Sequence, residues 1–305
     1  MAKILYFGSF DKPYDTEVYV SNTLESLGHE VDRKYASKTN NSELKRLLTL
    51  DYDFVMLSKG WFMDEEKAIE ILKDSSKKTI GWFWDLCWDT PREKLLYTHH
   101  LFKADIVFTS DGGDRDWKKY GINHVTLRQG IYEPEAVKGQ FKKEYDFDVA
   151  FVGTMVHESA FNWRHRSDLV NFLKKYYGNK FIHLGNGDGV RNMELNNVYA
   201  SVKVVVGDSV AAPHYWSNRL YETIGRNGFL IFPMIEGLDK EFTPYKHFIP
   251  YSYFEFTQLA EKIDYFIEHE KERNEIRDAG FEHCKKFHTY TIRCQQLIEY
   301  INKNK

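Results

Sequence analysis

The stretch 216–229, WSNRLYETIGRNGF, carries side chains suited to binding a nucleoside diphosphate. Arg219 and Glu222 lie three residues apart, so they share one face of the helix predicted over 218–226. A helix N-terminus and a guanidinium together bind a diphosphate, and a carboxylate one turn further along accepts hydrogen bonds from two ribose hydroxyls. An exposed Arg–Glu pair, worth roughly 0.2–0.5 kcal/mol, explains the same spacing equally well.

Glycine-containing turns follow three of the predicted strands. Backbone N–H groups at such turns can meet phosphate, and a glycine lets a ligand approach the backbone closely, although a simple strand-to-loop turn explains each of them nearly as well. The candidate nucleotide-binding residues at these turns are Gly8, Gly153, Thr154, Gly185 and Gly187, with Arg164 (near Arg166) adding positive charge at the start of the next helix.

A third candidate group is the aromatic stretch 81–91, GWFWDLCWDTP, at the end of a predicted strand. Indole faces stack on sugars or bases, so Trp84 and Trp88 are candidate ligand-binding residues, with core packing as the alternative. Asp85 and Asp89 in the same stretch are candidate general bases.

Several chemistries lack their motifs in this sequence. It contains no GxGxxG, Walker A, HExxH or GxSxG sequence and no Cys/His cluster with zinc-ligand spacing, so we expect no bound metal and no cofactor. Asp114-Arg115-Asp116 matches a metal-binding DxD pattern. It also follows Gly112-Gly113 at a predicted helix start, where acidic residues are expected, and we favour this capping interpretation.

The composition indicates a globular protein. The 305 residues carry a net charge of −3, are 42% hydrophobic and include three cysteines. Because the charge is balanced, the chain as a whole has no electrostatic attraction for nucleic acid. The odd cysteine count fits a reducing compartment, so we expect a cytoplasmic protein. No apolar run approaches the ~18 residues of a membrane span, so we expect none.

Short apolar runs alternate with amphipathic stretches along the whole chain, which predicts an α/β fold with parallel sheets. The rhythm pauses at 131–146, and this pause predicts two Rossmann-like domains, 1–130 and 147–289, joined by a linker. We expect residues 290–305 to form a C-terminal helix that crosses back to the first domain. Ligands of such folds bind at the carboxyl ends of the strands, so we expect a cleft there.

Three stretches give the chain a family resemblance. Ser217–Phe232 with Glu236-Gly237-Leu238, the ending His288–Arg293, and Asp148–Gly153 (DVAFVG) followed by Arg164 resemble the CgeB/YkvP-like branch of the GT-B glycosyltransferases. The resemblance covers about residues 147–295 and is weak over the first half of the chain.

The resemblance implies a metal-independent transfer of sugar from a nucleotide sugar, with a UDP-sugar and retention of configuration expected. It places Glu222 on the ribose and Arg219 on the diphosphate. A second glutamate near the donor sugar in family-4-like enzymes is replaced here by His214, which we list as a candidate catalytic residue. Asp85 matches one member of a His-Asp pair found in relatives, whose histidine is missing here. The resemblance makes Trp84 and Trp88 candidate acceptor-binding residues, and, should the reaction invert configuration, Asp85 or Asp89 the candidate base that deprotonates the acceptor hydroxyl.

Other functions stay open at this point. A phage-type DNA-base glycosyltransferase, a nucleotide-sugar epimerase and a non-catalytic nucleotide-binding protein all fit the same architecture. The acceptor can be a saccharide, a protein, a small molecule or a modified DNA base, and the sequence fixes neither the donor sugar nor the oligomeric state.

Overall fold

Residues 1–155, 164–185 and 189–304 are described in a computed structural model. By its contacts the chain divides into two units, Met1–Arg128 with Tyr290–Lys305, and Gln129–Thr289. Both contain a parallel sheet of the Rossmann-like kind that the sequence predicts. Among the described residues, no helix is long and apolar enough to cross a membrane.

The first unit contains a six-stranded parallel sheet in the order β2-β1-β3-β4-β5-β6. Along β1, Leu5 and Phe7 join a cluster that includes Leu57 and Phe83, while Ile4 and Tyr6 are buried on the opposite face. Burial of both faces explains why β1 and β3 are apolar along nearly their whole length. The outer strands β2 and β6 carry polar residues and are only partly buried. The strands are β1 (Lys3–Gly8), β2 (Glu30–Tyr35), β3 (Phe54–Leu57), β4 (Thr79–Phe83), β5 (Ile106–Thr109) and β6 (His124–Thr126).

Short helices connect these strands, and side-chain caps start two of them. Asn40 accepts the Glu43 N–H at the start of one helix, and Asp64 accepts the Lys67 N–H at the start of the next. The C-terminal helix belongs to this unit by its contacts. The α-helices are α1 (Thr16–Ser26), α2 (Asn41–Leu48), α3 (Glu65–Lys73), α4 (Leu95–Thr98) and α10 (Tyr290–Lys303).

The second unit contains a five-stranded parallel sheet in the order β11-β10-β9-β7-β8. Alternate residues of β7 enter different apolar clusters, with Ala150 and Val152 on one face and Val149 and Phe151 on the other. The strands are β7 (Val149–Val152), β8 (Phe181–Leu184), β9 (Val204–Val206), β10 (Leu230–Pro233) and β11 (Ile249–Tyr251). The helices are α5 (Arg164–Tyr177), α6 (Asn192–Ser201), α7 (Arg219–Ile224), α8 (Phe256–Glu268) and α9 (Glu270–Phe287).

The stretch 131–146, predicted as a linker, packs within the second unit. Ile131 is fully buried and forms a parallel bridge with Thr289. The Asn196 side-chain amide donates to the carbonyls of Glu135 and Val137 at 2.9 and 2.7 Å. Proline, glycine and mixed charge suggested a linker because the segment 131–146 forms no regular strand. The segment is nevertheless attached to α6 by the hydrogen bonds of Asn196.

The DxD pattern is a cap, as the sequence analysis favoured. Asp116 precedes a short 3₁₀ helix, Trp117–Tyr120, and its carboxylate accepts the Lys119 N–H at 3.1 Å. This contact satisfies a helix N–H that would otherwise have no acceptor.

Candidate functional site

Two arginines held by one aspartate lie at the carboxyl edge of the second sheet. Asp208, which follows β9, is only 1% exposed. Its carboxylate accepts a hydrogen bond from Arg166 Nε at 2.8 Å and another from Arg219 Nη1 at 2.5 Å. Two guanidinium groups and one carboxylate leave a net positive charge where parallel α/β sheets bind ligands, which favours an anionic ligand.

Arg219 is also tied to the backbone. Its Nε donates to the Val152 carbonyl at 2.7 Å, and its Nη1 donates to the Asp208 carbonyl at 2.9 Å. Burial lowers the pKa of this guanidinium, and the negative charge of Asp208 opposes that effect. Arg219 therefore joins the ends of β7 and β9, and its Nη2 is the nitrogen that lies beside Gly153.

The turn after β7 uses its glycines for close packing. A Cβ on Gly153 would lie 2.3 Å from Arg219 Nη2, and a Cβ on Gly185 would lie 2.8 Å from the Gly153 nitrogen. The Gly153 N–H donates to the Leu184 carbonyl at 2.8 Å, so it is not the exposed phosphate donor that the sequence suggested. Thr154 is exposed, and its carbonyl accepts from Arg166 Nη1 at 3.1 Å.

Two of the predicted nucleotide-binding residues, Gly187 and Arg164, lie outside the described residues or directly at the start of a described segment. Gly187 lies outside the described residues, and Arg164 is the first residue of α5. Helix α7 is six residues long, Arg219–Ile224, which is shorter than the predicted 218–226. So short a helix has only a small dipole, so the positive charge at this edge comes mainly from Arg166 and Arg219.

Glu222 pairs with Arg226 and not with Arg219. Its Oε2 accepts from Arg226 Nε at 3.0 Å, and its Oε1 accepts from the Asn218 amide at 3.1 Å. Arg226 also contacts the carboxylate of Glu135. Burial disfavours the charged Arg226, but Glu222 and Glu135 outweigh burial and raise its pKa. The surface pair of Arg219 with Glu222 is therefore not formed. Arg219 pairs with Asp208, and Glu222 pairs with Arg226.

His214 lies in the loop before α7 with a left-handed backbone, at a φ of 56°. The ring Nε2 of His214 lies 3.3 Å from Glu236 Oε1. The backbone N–H of His214 donates to the Glu236 carbonyl at 2.9 Å. A Cβ at Gly237 would lie 2.2 Å from His214 Nδ1, so only glycine fits beside this ring. The backbone conformation is uncommon for a residue other than glycine, and such strain is frequent at functional sites.

The carboxyl edge of the first sheet presents Asp85 in an ion pair that the sequence did not reveal. Lys59, which follows β3, places its Nζ 2.5 Å from Asp85 Oδ2, and Arg92 lies 3.9 Å from the same oxygen. Burial raises the pKa of Asp85, but Lys59 and Arg92 outweigh it, and the net effect lowers that pKa. A carboxyl group held ionised in this way is a weak base.

The predicted acceptor-binding tryptophans are less accessible than expected. Trp84 is 2% exposed and packs on Trp82 with ring centroids 5.6 Å apart. Trp88 is half-buried and packs edge-on against Trp117 at 5.3 Å. Asp89, whose side chain is 80% exposed, lies 3.3 Å from Arg115. In the structure Trp84 therefore belongs to the core, and Asp89 is a solvated ion-pair member.

Gly8 ends β1 beside two polar side chains that the sequence analysis did not single out. A Cβ on Gly8 would lie 2.6 Å from Ser58 Oγ and 2.9 Å from Glu17 Cγ. Ser58 Oγ donates to Glu17 Oε1 at 3.2 Å, and both residues are buried. Gly8 thus makes room for a buried hydroxyl–carboxyl pair. No local sequence pattern marks this pair, since its members are 41 residues apart.

The profile of the family described as glycosyl transferase-like matches residues 136–299, more than half of the chain. The chain belongs to this glycosyl transferase-like family. The glycosyltransferase is therefore an enzyme of the class that the resemblance implied, although the CgeB/YkvP-like branch remains a prediction. No curated protein sequence matches the chain significantly.

Solved structures confirm the GT-B fold of this glycosyltransferase. The Anabaena protein HepE, solved with UDP and glucose, has a TM-score of 0.68 at 11% identity, over 99% of this chain and 100% of that one. An α-glucosyltransferase solved with UDP-glucose and DNA containing an abasic site has a TM-score of 0.73 at 10% identity, over 99% of both chains. Sucrose-phosphate synthase from Thermosynechococcus elongatus has a TM-score of 0.63 at 9% identity, over 99% of both chains.

The glycosyltransferase also has a group of side chains with the composition of a metal site, which the sequence analysis missed. Glu65, His99 and His100 have ligand atoms within 4.8 Å of one another. His100 Nδ1 contacts Glu65 Oε1 at 2.7 Å, and His99 Nδ1 accepts the Leu101 N–H at 3.3 Å. Burial lowers the pKa of His99 to about 3. Hydrogen bonds engage Glu65 Oε1 and both Nδ1 atoms, whereas His100 Nε2 is buried without a hydrogen-bond partner among the described residues. Because the two rings also pack on Trp61 and Phe62, we interpret the cluster as packing between α3 and the segment 100–103.

Proposed function

We propose that this glycosyltransferase transfers a sugar from a UDP-sugar to a hydroxyl acceptor, with retention of configuration and without a bound metal ion. The observation that carries the proposal is the pair Arg166 and Arg219 around Asp208 at the carboxyl edge of the second sheet. HepE and the α-glucosyltransferase, which share the fold, were solved with UDP or UDP-glucose, and this supports UDP as the nucleotide.

In this proposal the second unit holds the donor. The net positive charge of the arginine pair stabilises the diphosphate as it leaves with the electron pair of the broken C1–O bond. Glu222, fixed by Asn218 and Arg226, accepts hydrogen bonds from the ribose hydroxyls. His214, paired with Glu236, contacts the donor sugar in place of the glutamate of the family-4-like enzymes. The charge that a metal would supply at the diphosphate comes from guanidinium groups.

Retention is supported by the state of the two predicted bases. Burial raises the pKa of Asp85, but Lys59 and Arg92 outweigh burial and lower that pKa, which makes Asp85 a weak proton acceptor. Asp89 is an exposed side chain that pairs with Arg115. In a retaining transfer the acceptor oxygen forms its bond to C1 on the face that the diphosphate leaves, and the acceptor proton moves to a departing phosphate oxygen. No protein base is required.

The direct test is release of UDP from UDP-glucose with a saccharide acceptor present, followed by NMR of the product. We expect UDP release that EDTA does not reduce, and an α-linked product. A β-linked product would contradict retention, and loss of activity in EDTA would contradict metal independence. Conversion of the UDP-sugar to another UDP-sugar without UDP release would indicate an epimerase. Binding without any turnover would indicate a nucleotide-binding protein.

A modified DNA base is the second candidate acceptor. It is favoured by the α-glucosyltransferase neighbour, which was solved in complex with DNA. Adding duplex DNA that contains hydroxymethylated bases to the UDP-release assay tests this acceptor. Stimulation by the modified duplex, and not by an unmodified one, would establish it.

A further inference from the structure

A half-exposed ion pair lies at the carboxyl edge of the first sheet, in the unit to which the proposed function assigns no donor contacts. The side chains of Lys59 and Asp85 are 43% and 30% exposed, and their charged atoms lie 2.5 Å apart. They follow the neighbouring strands β3 and β4. This edge is where parallel α/β sheets bind ligands.

The chemistry of this pair suits two adjacent hydroxyl groups. An ionised carboxylate is only a hydrogen-bond acceptor and an ammonium is only a donor. A vicinal diol offers one hydroxyl that donates to the carboxylate and a second that accepts from the ammonium. A half-exposed pair contributes little to stability, so it can exchange its mutual contact for such a ligand at small cost.

Glu17 is buried and is tied to the loop that carries Lys59, because Ser58, the residue before Lys59, donates to Glu17 Oε1 at 3.2 Å. The groups that face Glu17 are Tyr6 on β1, Asp15 before α1, and Ser58 and Lys59 after β3. Burial raises the pKa of Glu17 to about 7, while its own backbone N–H, Lys59 and Ser58 oppose the rise. Glu17 therefore changes charge near neutral pH, and only its ionised form attracts Lys59.

We propose that Lys59 and Asp85 bind the acceptor of this glycosyltransferase through a vicinal diol, as found in saccharides, and that Glu17 is a positioning residue that acts through Lys59. When Glu17 is protonated, Lys59 is directed to Asp85 and the diol. When Glu17 is ionised, it draws the ammonium away and acceptor binding weakens. The assignment of the diol as the acceptor rests on the proposed function.

Saturation-transfer NMR tests the diol site without knowledge of the natural acceptor. The probes are the methyl glycosides of glucose, galactose and mannose, with 1-propanol as a single-hydroxyl control, in the presence of UDP. We expect saturation transfer to at least one glycoside and not to 1-propanol. Lys59→Met and Asp85→Asn should each weaken that binding at least tenfold. Glu66→Gln, an exposed change in the first turn of α3, should leave it unchanged.

The role of Glu17 is tested by measuring the same binding at pH 6 and pH 8. The unaltered protein should bind the glycoside several-fold more weakly at pH 8, because Glu17 is then ionised. Glu17→Gln imitates the protonated form, so its affinity should be the same at both pH values. Ser58→Ala, a second variant at this site, should shift the midpoint of the pH dependence to higher pH because Ser58 favours the ionised form.

The outcomes separate this inference from the proposed function. Binding of none of the three glycosides, or undiminished binding by folded Lys59→Met and Asp85→Asn proteins, would overturn the diol site even if UDP stabilises the protein. An unchanged pH dependence in Glu17→Gln would overturn the positioning role. Absence of UDP binding with intact glycoside binding would instead overturn the proposed function, because the two ligands are read separately.

Discussion

At the scale of single residues, buried carboxylates decide how the candidate site is held. Asp208 accepts from both Arg166 and Arg219, and its side chain is 2% exposed. Asp208 carries no local sequence signal of this role, because its two partners lie 42 and 11 residues away in the chain. The role of Arg219 as a diphosphate contact stays a prediction, and its hydrogen bonds to Val152 and Asp208 depend on the fold.

Replacing Asp208 should affect stability and binding together. Asp208→Asn leaves two guanidinium groups without their shared counter-charge, and breaking such a buried pair costs about 3–5 kcal/mol of unfolding free energy. Urea denaturation measures this cost. Asp278→Asn is the matched control, since the Asp278 side chain is 48% exposed and pairs with Lys138, and it should cost less than about 1 kcal/mol. Equal effects of the two substitutions would contradict the account.

Glu17 should make the stability of the protein depend on pH. Its pKa rises from 4.5 to about 7 in the folded chain, which corresponds to about 3 kcal/mol. Its contribution is fully present below pH 4.5 and is lost as pH rises through about 7. Chemical denaturation at several pH values should show this fall in the unaltered protein.

Glu17→Gln supplies the comparison for that pH series. The variant has no proton to lose at this position, so it should be more stable than the unaltered protein at pH 8 and similar to it at pH 4. Glu66→Gln, on the surface of the same unit, should follow the unaltered protein at every pH. A Glu17→Gln protein that loses the same stability on raising the pH would show that another group titrates.

At the scale of elements, the alternation of strands and helices was predictable, and the ends of the elements were less so. Apolar runs such as Phe54–Leu57 and Ile106–Thr109 coincide with strands because both faces of the sheets are buried. Helix α7 is shorter than predicted, because Asn227 adopts a left-handed backbone at a φ of 61° and the chain turns before Gly228. Such a change depends on packing, here of Gly228 against Thr223 and Tyr199.

The turn between β7 and α5 should tolerate no side chain at Gly153. An alanine there would place its Cβ 2.3 Å from Arg219 Nη2. Arg219 cannot move away without giving up its bonds to Val152 and Asp208. We expect Gly153→Ala to weaken UDP binding at least tenfold in a calorimetric titration. Gly178→Ala is the control: nothing lies within 4 Å of the added Cβ, and although its φ of 54° disfavours alanine and lowers stability, the folded variant should bind UDP as the unaltered protein does.

At the scale of the whole molecule, the sequence predicted the family and the fold, and the comparisons confirm both. The two-domain α/β architecture followed from periodicity, and the family followed from stretches such as Ser217–Phe232. The predicted roles of the site residues stay predictions. What could not be predicted is which charges pair across distant segments, because Lys59 with Asp85 and Arg226 with Glu135 are brought together only by folding.

The central claim is that the second unit binds a UDP-sugar at the carboxyl edge of its sheet, beside Arg166, Arg219 and Glu222. Thermal unfolding tests this claim most directly, with UDP, GDP, CDP, dTDP, ADP and their sugar conjugates as ligands. A ligand at about 100 times its Kd stabilises the fold by ~2.7 kcal/mol. We predict a shift with UDP and UDP-glucose that Glu222→Gln diminishes and that Glu261→Gln, an exposed change on α8, leaves intact. A shift with another nucleotide alone, or with none of them, would contradict the claim.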